Sequence, residues 1–326
     1  VNDRTGQGGD TMTDSPASPK WKGIVLAGGA GTRLHPVTLQ VSKQMLPVYD
    51  KPMIYYPVST LMLGGIRDIL IISTPTELPR FQALLGDGSR IGVRFSYAVQ
   101  DAPRGLPEAF VIGADFLAGS SACLILGDNL FYGNMDFFRA ALRKRQGATI
   151  FGYPVHDPER YGVVEFDRQR KVLSIEEKPT HHKSRYAIPG LYCFDGQVVD
   201  VAGALAPSTR GETEITDVIK HYMTAGELDV QLMARGIAWL DTGTPQSLLE
   251  AATFVATIEH RQGLKIACLE EVAYRMGMID LEAFARVTHE MSGSSYGQYL
   301  ASLLREFEEG YTASSGAQPL KTGDQP

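Results

Sequence analysis

The sequence predicts an α/β fold: a Rossmann-like, doubly wound mixed sheet with an inserted hairpin region and C-terminal helices. Two patterns support this prediction. Short apolar, β-rich runs alternate with longer amphipathic runs, as expected where helices connect the strands of one sheet. A pair of short runs also flanks a turn sequence, which is typical of a hairpin. With 44% hydrophobic residues among 326, the chain can bury a core of domain size.

The first half of the chain contains the alternating runs. The candidate strands are Lys22–Ala27, Asp68–Ser73, Val93–Val99, Ala122–Gly127 and Ala148–Tyr153. Helix-period apolar positions occur between them, as in Pro52–Leu63 and Met135–Arg145. This alternation is the basis of the doubly wound prediction.

The second half adds the hairpin and further helices. Val163–Phe166 and Val172–Ile175 flank the turn-like segment DRQRK. Thr244 and Pro245 supply an N-cap and a proline at the first helical position, which predicts a helix to about residue 260. From Leu269 to Glu306 the periodicity is helical throughout.

Composition divides the chain into four parts. Residues 1–19 are rich in Gly, Asp, Thr, Ser and Pro, which predicts a disordered leader, and Met12 is a candidate native start. We expect an α/β domain over 20–268, a helical extension over 269–308 and a flexible tail over 309–326.

Charge and cysteine content point to a cytoplasmic protein. The 31 basic and 37 acidic residues give a net charge of −6, so no overall field favours nucleic acid or an anionic membrane. No apolar run approaches the ~20 residues of a membrane helix, and no signal-peptide pattern is present. Cys123, Cys193 and Cys268 lack metal-ligand spacing, and we expect them to be buried, reduced thiols.

A glycine-rich loop is the first candidate functional feature. KGIVLAGGAGTRLHP is an apolar strand followed by a loop with Gly28, Gly29 and Gly31, then Arg33. Glycines let backbone N–H groups approach a polyphosphate, and a guanidinium can hold two phosphate oxygens. A plain tight turn is the alternative. The spacing excludes a dinucleotide fingerprint, which would place Gly near Leu34, and a Walker A loop, which needs Gly-Lys-Ser/Thr.

The loop resembles the L-A-G-G-x-G-T-R-L motif of sugar nucleotidyltransferases. The similarity continues through SKQMLPVYDKPMIYYPVSTLMLGGIRDILIIST, LGDNLFYG, ERYGVVEFD, EEKP, GETEITDV and WLDTGT, and so covers about residues 22–305. This set is most similar to glucose-1-phosphate thymidylyltransferases. The resemblance implies the nucleotidyltransferase fold, with a sugar-binding part around 150–235. It also implies transfer of a deoxythymidylyl group from dTTP to glucose-1-phosphate, the first step of dTDP-L-rhamnose and related deoxysugar synthesis.

The resemblance implies a role for each matching residue. The expected catalytic cations are Arg33, Lys43 and Lys178. The expected nucleotide-binding residues are Leu26, Gly28, Gly29, Gly31, Thr32, Arg33, Gln44, Gln100, Gly105, Leu106 and Asp128. The expected sugar-phosphate-binding residues are Tyr161, Gly162, Glu177, Lys178 and Ile188. Without the resemblance, Lys43 would be interpreted as a solvated surface charge and Glu177-Lys178 as an exposed ion pair worth ~0–1 kcal/mol.

Two aspartates are the candidate metal ligands. Asp128 and Asp241 each follow an apolar run, at the end of a predicted strand. Two carboxylates at one sheet edge suit Mg²⁺, which also takes phosphate oxygens and water. Alone, each aspartate would more often be an N-cap or turn residue. The resemblance implies instead that the two jointly bind Mg²⁺ between nucleotide and sugar phosphate.

The sequence departs from the family pattern at two places. Gly105-Leu106 is followed by Pro107 and Glu108, where Ala-Gln is expected. Pro107 removes a backbone donor and Glu108 adds a negative charge near polyphosphate, so nucleotide affinity or selectivity could differ. Pro189 stands where a threonine commonly precedes the glycine, which removes one sugar contact.

The C-terminal helices lie beyond every residue that the chemistry needs. One interpretation is a cap over apolar sheet surface. The resemblance implies more: a homotetramer with a second nucleotide site that responds to dTDP-rhamnose as a feedback inhibitor. The residues that match that allosteric site are Tyr132, Gly133, Glu271, Val272 and Arg275.

Two other functions compete with this assignment. One is a uridylyl- or other nucleotidyltransferase on a related sugar phosphate, since a methyl contact is worth only ~1–3 kcal/mol. The other is a non-catalytic sugar-nucleotide sensor on the same scaffold. The presence of all five charged candidates argues against a sensor: Arg33, Lys43, Asp128, Lys178 and Asp241.

Overall fold

The computed structural model describes residues 21–29, 31–209 and 211–310. The predicted leader and most of the predicted tail lie outside these residues. The strands are β1 Trp21–Leu26, β2 Pro47–Val48, β3 Lys51–Pro52, β4 Asp68–Ser73, β5 Arg94–Val99, β6 Ser121–Leu126, β7 Asn129–Tyr132, β8 Ala148–Pro154, β9 Gly162–Phe166, β10 Val172–Glu177, β11 Tyr186–Ala187, β12 Leu191–Phe194, β13 Leu228–Leu232 and β14 Ala238–Asp241. The helices are α1 Tyr55–Leu63, α2 Leu78–Leu85, α3 Glu108–Ile112, α4 Ala114–Leu117, α5 Asp136–Leu142, α6 Val198–Gly203, α7 Ile215–Ala225, α8 Pro245–Gln262, α9 Leu269–Arg275, α10 Leu281–Glu290 and α11 Ser295–Glu308.

The main sheet is mixed and has the strand order β10-β9-β11-β8-β12-β6-β1-β4-β5, with β13 also paired to β8. The strands β6, β1, β4 and β5 are parallel to one another. The strand β12 joins this parallel part to β8 through antiparallel pairing. The mixed, doubly wound prediction is confirmed, as is the predicted hairpin, which β9 and β10 form.

The core lies on both faces of the sheet because side chains alternate along each strand. In β1, Val25 packs into the core on one face and Ile24 into the core on the other. Helices α1, α2 and α9 supply buried residues on the first face, and helices α3, α6 and α7 do so on the second. Because such a strand is buried on both faces, its sequence is a continuous apolar run and does not alternate between apolar and polar residues.

One strand belongs elsewhere than expected. The strand β14, which ends at Asp241, pairs with β7 in a separate two-stranded ribbon and not in the main sheet. The expectation of two aspartates at the edge of one sheet is therefore wrong in its topology. The ribbon register places Asp241 opposite Asn129, so Asp241 still lies next to the residue that follows Asp128.

The helix predicted at Thr244 is confirmed and its capping is reciprocal. The Thr244 side chain accepts from the Ser247 amide at 3.1 Å, and the Ser247 hydroxyl accepts from the Thr244 amide at 3.0 Å. This capping box satisfies two N–H groups that a helix start would otherwise leave unpaired.

The C-terminal segment is helical as predicted and contacts the rest of the chain through α9 and α10. Leu269 and Ala273 are buried in the same core as the sheet, whereas Phe284, Leu300 and Leu303 form a cluster of their own. The three cysteines are free and buried, as expected. In the described part of the chain, no helix has both the length and the apolarity needed to cross a membrane.

Candidate active site

Three segments leave the parallel part of the sheet at the same edge. Leu26 of β1 is in register with Leu126 of β6, and both strands run in the same direction. The strand β5 is parallel as well and is followed at this edge by Gln100. The glycine loop, Asp128 and Gln100 therefore emerge together, at the edge where ligands bind in open α/β sheets.

A cleft of about 350 Å³ opens at this edge. Nine of the predicted residues line it: Leu26, Gly28, Gly29, Arg33, Gln100, Gly105, Leu106, Glu177 and Lys178. The cleft thus joins the predicted phosphate loop and the predicted base-binding segment to the predicted sugar-phosphate pair.

The local fold explains why the loop needs its glycines. Gly31 has φ 62°, in the left-handed region, and immediately precedes the single 3₁₀ turn Thr32–Leu34 that carries Arg33. A Cβ at Gly28 would lie 2.8 Å from Oε1 of Gln100. A Cβ at Gly243 would lie 3.2 Å from Nη2 of Arg33, so the Arg33 guanidinium lies against the backbone that follows Asp241.

Asp128 lies in a dense polar cluster. Its carboxylate forms an ion pair with Lys43 and accepts from Nδ2 of Asn129 at 2.9 Å. Its carbonyl oxygen accepts from the Thr242 hydroxyl at 2.9 Å, which connects it to the residue after Asp241. Burial alone would raise the pKa of the Asp128 carboxyl, but the Lys43 ammonium more than offsets this and holds that pKa below its usual value.

Asp241 faces a cation that the sequence analysis did not select. Nη2 of Arg160 is 3.7 Å from Oδ2 of Asp241, and the Arg160 guanidinium lies 5.2 Å from the Tyr161 ring centre. Burial, followed by the Asp241 carboxylate, raises the pKa of Tyr161 to about 12, so its phenol stays protonated. Arg160 precedes Tyr161 in the ERYG segment, which is the only sequence signal for it.

The donor set at this point is suited to a hard cation. Among the described residues, no group of three or more His, Cys, Asp or Glu side chains has metal-binding geometry. A cation beside Asp128 and Asp241 would therefore take carboxylate oxygens from the protein and complete its shell with phosphate oxygens and water. Oxygen-only coordination of that kind fits Mg²⁺.

Gln44 does not line the cleft. It is buried, and its Oε1 accepts from the Ser42 hydroxyl at 2.6 Å. A Cβ at Gly127 would lie 2.9 Å from its Cγ, so Gln44 packs beneath the turn that leads to Asp128.

The predicted sugar-phosphate residues lie side by side. The Lys178 amide donates to the Tyr161 carbonyl at 3.0 Å, and the Ile188 amide donates to the Gly162 carbonyl at 2.8 Å. A Cβ at Gly162 would lie 3.4 Å from Oε2 of Glu177. Lys178 itself has φ 44°, an uncommon conformation for a non-glycine residue and one that clusters at functional sites.

The segment GETE lines the cleft although no role was predicted for it. Glu212, Thr213 and Glu214 all face the cleft, and the Thr213 amide donates to the Arg104 carbonyl at 2.9 Å. Gly105 has φ 109° and bridges to Thr213, so a side chain at Gly105 would overlap the Thr213 backbone. This pairing holds the GETE segment against the predicted base-binding segment in the lining of the cleft.

The five residues predicted for a second nucleotide site line one pocket of about 460 Å³: Tyr132, Gly133, Glu271, Val272 and Arg275. Arg139 and Lys265 line it as well, so three cations face it. Nε of Arg275 donates to Glu271 at 2.7 Å. The ring of Tyr132 lies edge-on to that of Phe254.

Comparison with known proteins places the chain in a family. Residues 22–258 match the nucleotidyl transferase family. A glucose-1-phosphate thymidylyltransferase from Xanthomonas campestris pv. campestris is 57% identical over 286 residues, which cover 87% of this chain and 97% of that protein. The enzyme of that name from Neisseria gonorrhoeae is 55% identical over 285 residues, covering 87% of this chain and 99% of the relative. The chain therefore belongs to the nucleotidyl transferase family and, within it, to the glucose-1-phosphate thymidylyltransferases.

Solved structures agree with this fold. A Bacillus anthracis protein assigned as a glucose-1-phosphate thymidylyltransferase, crystallised with sucrose, is 39% identical with a TM-score of 0.68, covering 72% of this chain and 94% of that one. A UDP-glucose pyrophosphorylase in complex with UDP-glucose is 23% identical with a TM-score of 0.63, covering 73% and 98%. The second likeness establishes a shared fold.

Proposed function

We propose that the chain transfers a deoxythymidylyl group from dTTP to glucose-1-phosphate, giving dTDP-glucose and pyrophosphate. One observation carries this proposal: a single cleft holds the glycine loop with Arg33, the Gln100 and Gly105-Leu106 segment, and Glu177-Lys178. Triphosphate, base and sugar phosphate can therefore meet in one place. The relatives at more than half identity support the same reaction.

The phosphates require charge neutralisation more than covalent chemistry. An oxygen of the sugar phosphate attacks the α-phosphorus in line, the bond to the bridging oxygen breaks, and pyrophosphate leaves with that bond's electron pair. Arg33, on the short turn after the glycines, holds the leaving phosphates. Lys43 lies beside Asp128 and offsets negative charge next to the reacting phosphorus.

The sugar phosphate is bound at the opposite wall. Lys178 pairs with its phosphate and Glu177 accepts from hexose hydroxyls; the two side chains are 3.5 Å apart at Nζ and Oε1. Tyr161, Gly162 and Ile188 provide the surface on which the hexose lies. A fixed sugar phosphate converts the displacement into an effectively intramolecular step.

Asp128 and Asp241 would hold Mg²⁺ in this proposal. When bound there, Mg²⁺ would supply neutralisation of phosphate charge and polarisation of the α-phosphoryl group. Lys43 pairs with Asp128 and holds that carboxyl in its ionised form. Arg160 lies 3.7 Å from the Asp241 carboxylate and orients it.

The deciding assay is pyrophosphate release from dTTP and glucose-1-phosphate with Mg²⁺. UTP and other hexose phosphates, tested in parallel, separate a thymidylyltransferase from a uridylyltransferase. Binding of sugar nucleotide without turnover on any pair would establish a sensor and refute the proposal.

A second part of the proposal concerns regulation. The 460 Å³ pocket has an aromatic ring and three cations, a chemistry suited to a nucleoside diphosphate such as that of dTDP-rhamnose. Tyr132 in the pocket and Asn129 beside Asp128 are the two ends of β7. In the ribbon with β14, Tyr132 is paired with Ala238 and Asn129 with Asp241. Along β7 the pocket and Asp128 are only about 10–13 Å apart. A ligand in the pocket can therefore displace the residues around Asp128.

Inhibition by dTDP-rhamnose tests this regulatory site. Arg275→Ala should retain turnover and lose sensitivity, because Arg275 contacts the pocket and not the cleft. Unchanged sensitivity would place the inhibitor in the active site. From the family resemblance we further propose a homotetrameric, cytoplasmic enzyme, and light scattering at assay concentration tests the tetramer.

A further inference from the structure

Glu108, one of the departures from the family pattern, lies between two other side chains. Its Oε2 accepts from Nε2 of Gln100 at 2.7 Å, and its Oε1 is paired with Nη1 of Arg104. The Glu108 side chain is 14% exposed. The negative charge is therefore paired with Arg104 and does not face the phosphates unopposed.

This arrangement determines which way the Gln100 amide points. A carboxylate paired with a guanidinium only accepts hydrogen bonds, so the Gln100 NH₂ group must face it. The amide oxygen then points the other way. Its position agrees, since a Cβ added at Gly28 of the phosphate loop would lie 2.8 Å from Gln100 Oε1. Gln100 is 5% exposed and lines the cleft, so little room exists for alternative rotamers.

We propose that Glu108, held by Arg104, is a positioning residue that presents the Gln100 oxygen to the nucleobase and so selects a pyrimidine with an N–H donor at N3. Thymine and uracil carry that donor, whereas cytosine has an acceptor at N3. An acceptor facing an acceptor leaves a buried polar pair without a hydrogen bond. This inference rests on the proposed function and adds the reason why a cytidylyl group is rejected.

The proposal predicts an unusual effect of Glu108→Gln. Arg104 only donates, so the oxygen of the introduced amide would face Arg104 and the introduced NH₂ group would face Gln100. Gln100 would then turn its oxygen toward that NH₂ group and its own NH₂ group toward the base. That orientation matches cytosine and opposes thymine. The glutamine that the family pattern has at this position is compatible with dTTP where its amide oxygen faces Gln100, an orientation that Arg104 prevents in this chain.

A second substitution at Arg104 should reverse the effect. In the double variant Arg104→Glu, Glu108→Gln, the carboxylate introduced at position 104 only accepts hydrogen bonds. The NH₂ group of the amide introduced at position 108 therefore faces position 104. The oxygen of that amide then faces Gln100. The Gln100 oxygen returns to the base. Arg104 is 59% exposed, and its carbonyl, not its side chain, binds Thr213, so the substitution leaves the turn intact.

The experiment measures kcat/KM for dTTP and for dCTP with glucose-1-phosphate and Mg²⁺. We expect the wild type to prefer dTTP by on the order of 1000-fold, since sites built around a hydrogen bond strongly reject analogues that cannot make it. Glu108→Gln should lower the ratio by roughly 10-fold or more, the value of one charged hydrogen bond. The double variant should restore it. Glu108→Ala, which frees the amide, should lower the ratio without reversing the orientation.

Each result bears on the proposal. An unchanged ratio in Glu108→Gln, or equal losses with both nucleotides, would overturn it, because a merely structural role lowers both rates together. So would a double variant with the same ratio as the single one. If Glu108→Gln failed to fold, the ratio of Glu108→Ala would decide alone. Wild type inactive with every nucleotide would refute the proposed function, whereas an active wild type with no preference would refute only this inference.

Discussion

Asp128→Asn and Asp241→Asn should have similar effects on turnover but different effects on stability. The Asp128 pair with Lys43 is mostly buried, with side chains 17% and 12% exposed. Neutralising Asp128 leaves a buried ammonium without its counter-ion, so we expect the free energy of unfolding to fall by about 2–4 kcal/mol. Arg160, the cation next to Asp241, is 43% exposed and 3.7 Å away. Water replaces that partner, so the loss there should stay below about 1 kcal/mol.

Turnover should fall by roughly 100-fold or more in both variants, because each removes a charged metal ligand worth several kcal/mol. Pyrophosphate release at saturating Mg²⁺ measures this, and urea unfolding followed by tryptophan fluorescence measures stability. The control is Lys43→Met combined with Asp128→Asn. Removing both charges should recover much of the lost stability while turnover stays low.

Equal stability of the two single variants would contradict the assigned difference between the buried and the exposed ion pair, and so would a double variant no more stable than Asp128→Asn. Near-wild-type turnover in either aspartate variant would remove that residue from the metal site, whatever its stability.

Three further predictions follow from the same contacts. The pKa of Asp128 is lower in the folded chain than its value of about 3.9 in the unfolded chain, so the ionised carboxylate stabilises the fold above about pH 4. This contribution is lost as the pH falls through the folded pKa, so the stability difference between wild type and Asp128→Asn should shrink below about pH 4. Urea titrations at several pH values measure that difference. Lys178→Ala should raise KM for glucose-1-phosphate more than for dTTP, and equal increases would assign Lys178 to the triphosphate. Burial raises the pKa of Cys123 and Cys268 well above the usual thiol value, so a maleimide should label neither until urea unfolds the chain, and rapid native labelling would contradict the fold.

The sequence predicted the central strands β1, β4 and β6 most closely because they are buried on both faces. Such strands must be apolar along their whole length, and a run like Asp68–Ser73 therefore has the same limits in sequence and structure. Helix ends with local caps, as at Thr244, could also be predicted from the sequence. The pairing of β14 with β7 could not be predicted, because it is non-local and four residues in each strand are too few to indicate which sheet the strand joins.

The candidate site likewise combines features that the sequence determines with contacts that only the tertiary structure determines. Which residues carry charge or glycine, and in which motif, is a property of the chain order, so Arg33, Asp128 and Lys178 could be selected as candidates without coordinates. Contacts between distant segments were decided by tertiary structure: Arg160 reaches Asp241 from 81 positions away, and Thr213 pairs with Gly105 in the lining of the cleft. Local propensity and pattern depend on neighbours within a turn or a strand, whereas hydrogen bonds and ion pairs form wherever packing brings donors and acceptors together.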